Sequence, residues 1–193
     1  HKRGLSESRN LGISLADAEY LCFLDDDDFF TENGAEALLL GLSNCPAFAF
    51  GHFNYVYPEK LENMQIGHVN DELQLIVNHI PVGTYAIKKT LSLGGFDTTL
   101  KSHEDWDFLL RNVNMREAVY LNQTIVNIDK TDEGSGSMQS RRQDHFWLDY
   151  IGIYGRFPAP HLAEPRAAML KTFGMTFPEE SLHCTYGFSY PVT

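Results

Sequence analysis

An α/β sheet flanked by helices is the fold class this sequence predicts, and three observations predict it. Apolar runs of strand length alternate with amphipathic stretches, the order that builds a sheet covered by helices. Breakers separate the runs, at Asn44-Cys45-Pro46, Pro58 and Gly94-Gly95. The chain has 193 residues with 43% hydrophobic content, enough for one sizeable core with an appendage.

Taken in order, residues 6 to 18 are expected to be helical, with Ser6 as cap and Leu11, Leu15 and Ala18 on one face. Residues 19 to 24 follow as a buried strand. Residues 31 to 43 read as a helix with Leu38, Leu39 and Leu42 inward, stopped at Pro46. The aromatic-rich stretch 47 to 57 reads as a strand, and the polar stretch 59 to 70 as a loop. Residues 71 to 78 predict a short helix, 82 to 88 a strand, and Gly94-Gly95 a turn. Residues 104 to 115 predict a helix with Phe108, Leu109 and Val113 inward, and 118 to 128 alternate as a strand. Residues 132 to 137 have the composition of a mobile loop. Helical and then Pro- and aromatic-rich sequence follows from Arg141, so the chain divides into 1–130 and a loop and tail, 131–193, packed on the core.

The formal charge of −11, with no basic cluster beyond Arg141-Arg142, argues against binding nucleic acid through its phosphates. No apolar run reaches transmembrane length. Cys22, Cys45 and Cys184 are widely spaced and lack a CxxC pair, which predicts neither a disulfide framework nor a zinc site. A reducing, cytoplasmic setting is expected, compatible with peripheral association at the inner membrane face. Asn122-Gln123-Thr124 fits the glycosylation pattern but reads as chance without a secretion signal.

The most informative stretch is Asp25 to Asp28, four carboxylates between the apolar run Tyr20-Leu21-Cys22-Phe23-Leu24 and Phe29-Phe30. Like charges this close repel, and a fold seldom sets them at the end of a buried strand without a cation. On an extended backbone Asp25 and Asp27 share one side. Such a pair suits a hard divalent ion, Mn²⁺ or Mg²⁺, that also takes oxygens from a substrate phosphate. In an α/β sheet, ligands sit beyond the carboxyl ends of the strands, the kind of position these aspartates hold. A second acidic group, Ser102-His103-Glu104-Asp105-Trp106-Asp107, opens a helix. Ser102 with Asp105 has the spacing of a capping box, and Asp107 with Arg111 that of a helical ion pair. His52 and His79 read as core or surface histidines, Trp106 as a packing residue, and His103 as a candidate for acceptor contact.

Arg9-Asn10-Leu11-Gly12-Ile13 followed by Leu24-Asp25-Asp26-Asp27-Asp28 resembles the Ala-Arg-Asn…Leu-Asp-x-Asp-Asp block of family 2 glycosyltransferases. Gly94-Gly95-Phe96-Asp97, then Glu104-Asp105-Trp106-Asp107-Phe108 and Arg111, resembles that family's Gly-Gly-Phe-Asp…Glu-Asp block. The resemblance covers roughly residues 4 to 130 and implies a GT-A fold. It further implies inverting transfer of a sugar from a nucleoside diphosphate donor, a uridine diphosphate sugar foremost, to a glycan, lipid-linked or other hydroxyl acceptor. By position, Asp27 with Asp25 would hold the metal, and Arg9, Asp25 and Asp26 would lie at the donor. Asp105 would be the general base, with Glu104 shaping the acceptor side. Two departures stand out. The strand–helix–strand segment that should precede Arg9 is absent, so the chain is expected to be an N-terminally truncated fragment with half the donor pocket missing. The downstream metal-ligand histidine is replaced by Asp129-Lys130-Thr131-Asp132, leaving Asp132 or a more distant residue to substitute.

Three rival readings compete with this one. An EF-hand would place Asp25, Asp27 and Glu36 at loop positions one, three and twelve, but Phe30 stands where its glycine must be. A metal-dependent phosphohydrolase would use Asp-x-Asp yet leave Gly-Gly-Phe-Asp and Glu104-Asp105 unexplained. A non-catalytic or partner-dependent fragment of a transferase remains the main alternative.

Overall fold

The computed structural model describes residues 4–43, 47–90, 93–131 and 144–176. Six helices lie among them: α1 (Leu5–Leu15), α2 (Gly34–Leu42), α3 (Asp71–Gln74), α4 (Glu104–Asn112), α5 (Asp144–Arg156) and α6 (Ala163–Thr172). The strands are β1 (Tyr20–Cys22), β2 (Phe29–Phe30), β3 (Phe48–Val56), β4 (Leu61–Met64), β5 (Tyr85–Lys88) and β6 (Ala118–Asp129). Together they make one mixed sheet in the order β1-β5-β3-β6-β2, with β4 paired to the far end of β3. Only β3 and β6 run parallel; the remaining pairs are antiparallel.

The centre of the sheet explains the composition of β3. Phe48 to Phe53 are all buried, as an apolar run without alternation requires when both faces are covered. Phe48 and Phe50 point to one face, where Tyr85, Ile87, Phe96, Phe108 and Leu109 join them under α4 and the end of α1. Ala49 points to the other, where Ala86, Ile125 and, from α2, Leu38 and Leu42 pack. Burying a leucine such as Leu38 fully contributes about 1.5–3 kcal/mol. Leu38→Ala should therefore cost roughly 2–5 kcal/mol once the cavity is counted. Beyond α4, its Trp106 packs with Tyr150, Ile153, Tyr154 and Leu170 of α5 and α6.

Several local expectations are corrected. α1 is capped by Gly4 rather than Ser6, which is itself buried, and ends before Ala18. Leu11 and Leu15 are exposed while Ile13 and Ala16 pack inward, because α1 turns Arg9 and Asn10 toward neighbouring polar groups. Leu39 is 58% exposed, since the inner face of α2 takes Ala37, Leu38 and Leu42. The polar stretch 59 to 70 is no plain loop: Leu61 to Met64 form β4, and backbone pairing to β3 needs no apolar alternation. The expected mobile stretch 132–137 lies outside the described residues.

Candidate active site

The two acidic groups, far apart in sequence, meet through Arg9. Its Nη2 donates to Asp25 Oδ1 at 2.7 Å and its Nη1 to Glu104 Oε1 at 2.9 Å, with 9% of the arginine side chain exposed. Burial works against the guanidinium's charge, but Asp25, and then Glu104 and Asp105, hold it firmly protonated. The next residue fixes the third block. Asn10 Nδ2 donates to the Phe96 carbonyl at 2.8 Å, and its Oδ1 accepts from the Phe96 N–H at 2.6 Å. A Cβ on Gly95 would sit 2.6 Å from Asn10 Oδ1, so this close approach requires glycine. Phe96 then stacks on Phe108 of α4, ring centroids 4.2 Å apart, and the Arg9 guanidinium lies over the Phe96 ring at 5.3 Å. One turn of α1 thus ties the aspartates, the Gly-Gly-Phe-Asp segment and the start of α4 to each other.

The aspartates are not extended. The Asp28 N–H donates to the Asp25 carbonyl at 3.1 Å, closing a turn, so strand alternation does not set their directions. Asp25 and Asp28 are half-buried, and Asp26 and Asp27 exposed. Asp28 Oδ1 accepts from the Asp129 N–H at 3.0 Å. Burial, followed by the charges of Asp27 and Asp25, pushes the Asp28 carboxyl up to about 6 against that hydrogen bond. With one oxygen of Asp25 given to Arg9, the exposed carboxylates of the group are those of Asp26 and Asp27. No set of three metal-ligating side chains converges among the described residues. A hard cation shared with a diphosphate would need only one or two protein carboxylates.

At the start of α4 the expected capping box does not form. The N-cap is His103, with φ of 58°, a left-handed conformation uncommon for a residue with a Cβ. Ser102 is engaged elsewhere: its N–H and that of Lys101 donate to Asp149 Oδ2 of α5 at 2.9 and 2.8 Å. The His103 ring rests on Phe146 and Tyr150 of the same helix, at 4.3 and 5.0 Å. Glu104 and Asp105 differ in their company. Glu104 is bound to Arg9, whereas Asp105 carries only neutral donors: its Oδ1 accepts from the Trp106 N–H at 2.8 Å and its Oδ2 from Asn78 Nδ2 at 2.9 Å. Burial, and then the charge of Glu104, push the Asp105 carboxyl up to about 7. A carboxylate so tuned can both hold and release a proton near neutrality.

The rest of the second block is scaffolding. Asp107 is fully buried, with Oδ2 bound by Arg111 at 2.7 Å and Oδ1 by Arg156 of α5 at 2.8 Å; Arg156 also reaches Asp97 at 2.7 Å. The helical pair of Asp107 and Arg111 is as expected. Trp106 is fully buried and donates from Nε1 to the Gln74 carbonyl at 2.7 Å. His52 is a core histidine: its Nδ1 accepts from the Ile66 N–H, and its Nε2 lies 3.1 Å from Asn122 Oδ1. Asn78 and Tyr85 have no counterpart in the sequence reading, and Asn10 enters it only as a letter of the Arg9-Asn10 block with no role of its own. The Tyr85 hydroxyl is buried without a hydrogen-bond partner, and after desolvation the charge of Asp105 is the strongest influence holding it protonated. No periodicity announces such residues, since each acts across a long sequence separation.

A family model described as glycosyl transferase family 2 matches residues 1–100. A Haemophilus influenzae protein named as an uncharacterized glycosyltransferase is 35% identical over 124 residues, covering 56% of this chain and 40% of its own length. The chain thus spans well under half the length of that curated relative.

Proposed function

The chain belongs to glycosyl transferase family 2, and from that premise we propose an inverting, metal-assisted transfer with Asp105 as general base. The mixed sheet flanked by helices is consistent with a GT-A-like fold. Family membership implies a nucleotide-sugar donor and an acceptor, and no described helix is long and apolar enough to cross a membrane.

What supports the finer reading is the Arg9 bridge, which draws the aspartate turn and the start of α4 to one place. Asp105 takes the proton from the acceptor hydroxyl as its oxygen bonds to the anomeric carbon. The bond from that carbon to the diphosphate breaks on the opposite face, which inverts the configuration. Glu104, fixed by Arg9, shapes the acceptor side, while Arg9, Asp25 and Asp26 lie toward the donor. Asp27 with Asp25 would hold a Mn²⁺ or Mg²⁺ ion, which supplies positive charge to the departing diphosphate. A uridine diphosphate sugar is the donor to try first, with a glycan or lipid-linked hydroxyl as acceptor.

The test is transfer and donor hydrolysis by the full-length protein with Mn²⁺. Asp27→Ala should abolish metal-dependent donor binding by calorimetry. Asp105→Asn should bind donor normally yet lose about 10²–10⁴-fold in transfer. Normal turnover by both variants would end the assignment.

A further inference from the structure

Asp105 stands on a helix, but one of its oxygens is held from a different part of the chain. Asn78, in the turn after α3, donates from Nδ2 to Asp105 Oδ2 at 2.9 Å across 27 residues. The amide cannot rotate freely, because its Oδ1 accepts from the Ile80 N–H and from Gln74 Nε2, both at 3.2 Å. That pair fixes which end of the amide faces Asp105.

The turn is itself pinned from behind by α4 and the two C-terminal helices. Trp106 Nε1 donates to the Gln74 carbonyl at 2.7 Å, Arg166 Nε to the Leu75 carbonyl at 3.0 Å, and the Tyr154 hydroxyl to the Ile76 carbonyl at 2.6 Å. Three successive carbonyls are thereby anchored just before Asn78. Ordinary packing would not ask for a donor aimed at one carboxylate and locked at its other end.

We propose that Asn78 is the positioning residue for the Asp105 carboxylate, holding Oδ2 so that the remaining lone pairs face the acceptor hydroxyl. The proposal rests on Asp105 being the base. A donor on a carboxylate favours the ionised form, so Asn78 also helps keep Asp105 able to accept a proton. The charges that face Asp105 are Glu104 on its own helix and Arg9 of α1, with the hydroxyl of Tyr85 from β5 below. His79, next to Asn78, is pushed by burial below the ordinary histidine value and adds no charge at neutral pH.

The experiment uses full-length enzyme bearing Asn78→Asp or Asn78→Ala. Asn78→Asp is nearly isosteric and retains the Oδ1 acceptor for Ile80, so the turn keeps its shape while the donor is lost. Transfer rates are measured against pH with donor KM, and the Asp105 carboxyl is titrated by carbon-13 NMR, assigned with Asp105→Asn. The acid limb and the carboxyl titration should both move up by about one pH unit in Asn78→Ala, and further in Asn78→Asp, where two carboxyls share a proton. Donor KM should stay within about twofold, the loss falling on kcat. A carboxyl that shifts while the acid limb stays put would support Asn78 as the holder of Asp105 and sink Asp105 as base. Titration unchanged in both variants, with at most a pH-independent loss of rate, would overturn the proposal.

Discussion

Arg9 and Arg166 are both almost wholly buried, yet their guanidinium groups are satisfied by different chemistry. Arg9 spans two carboxylates, Asp25 and Glu104. Arg166 has no acidic partner among the described residues; it donates to the carbonyls of Leu75, Tyr154 and Phe157 and lies 4.1 Å from the Tyr154 ring centroid. Desolvation lowers its pKa, opposed by the neighbouring Tyr154 and Tyr150. The difference separates two jobs. A cation tied to carboxylates organises groups whose charge the proposed chemistry would use, and breaking it leaves neighbouring anions that repel. A cation tied to carbonyls organises backbone, and its contribution is the same at any pH where the fold is intact.

The comparison breaks most visibly at Arg9. Arg9→Met should lower transfer by about 10²-fold, since it frees Glu104 and Asp25 from their shared position. Its smaller cost in stability should shrink in acid, where carboxylates are neutral. Arg166→Met should act the other way round. Leaving its carbonyls unmatched should cost about 2–3 kcal/mol. That corresponds to a fall in Tm of roughly 2–4 °C per kcal/mol, equal at pH 5 and pH 8. Melting curves and initial rates on the same preparations decide it; an Arg166→Met penalty that fades in acid would erase the distinction.

Asp105 sharpens the acidic side of the comparison. Transfer measured as kcat/KM should rise with pH through about 7, as the carboxyl loses its proton. The stability effect has the opposite sense. A carboxyl whose folded pKa lies above its unfolded value binds protons more tightly in the native state, so stability falls as pH rises from about 4 to about 7. Asp105→Asn should therefore melt higher than wild type at pH 8, with the gap closing below about pH 4. The smallest effect is expected at Tyr85. Its hydroxyl has no partner to lose, so Tyr85→Phe should leave Tm unchanged or slightly raised by thermal melting, and a drop of several degrees would disprove that.

The parts of this molecule legible in its sequence are those whose signal is local. The strand β3 is an aromatic-rich run, and the inward set Phe108 and Leu109 of α4 follows helical period; both elements lie close to the bounds expected of them. Where a residue answers to a distant partner, local reading misled. Ser102 has the spacing to cap α4 but is claimed by Asp149, 47 positions later. Leu11 and Leu15 look like a buried stripe, yet the neighbouring Arg9 and Asn10 take the inward direction because carboxylates and a backbone amide await them. The β4 segment carries no apolar alternation, since backbone pairing to β3 needs none. Of the site, Arg9, Asp25, Glu104 and Asp105 were legible as motif residues; that one guanidinium joins two of the motifs was not. Asn78 and Tyr85, on an unremarkable turn and strand, carried no signal at all.

The parallel seam between β3 and β6 has a consequence for how this polypeptide is made. β3 is complete by Val56, but its longest partner begins only at Ala118, so one flank of the central strand stays unpaired while the intervening residues emerge. Pairing at such separation is slow, and a bare apolar flank invites neighbours in the meantime. A polypeptide ending at residue 100, where the family match stops, would lack β6 and never close that seam.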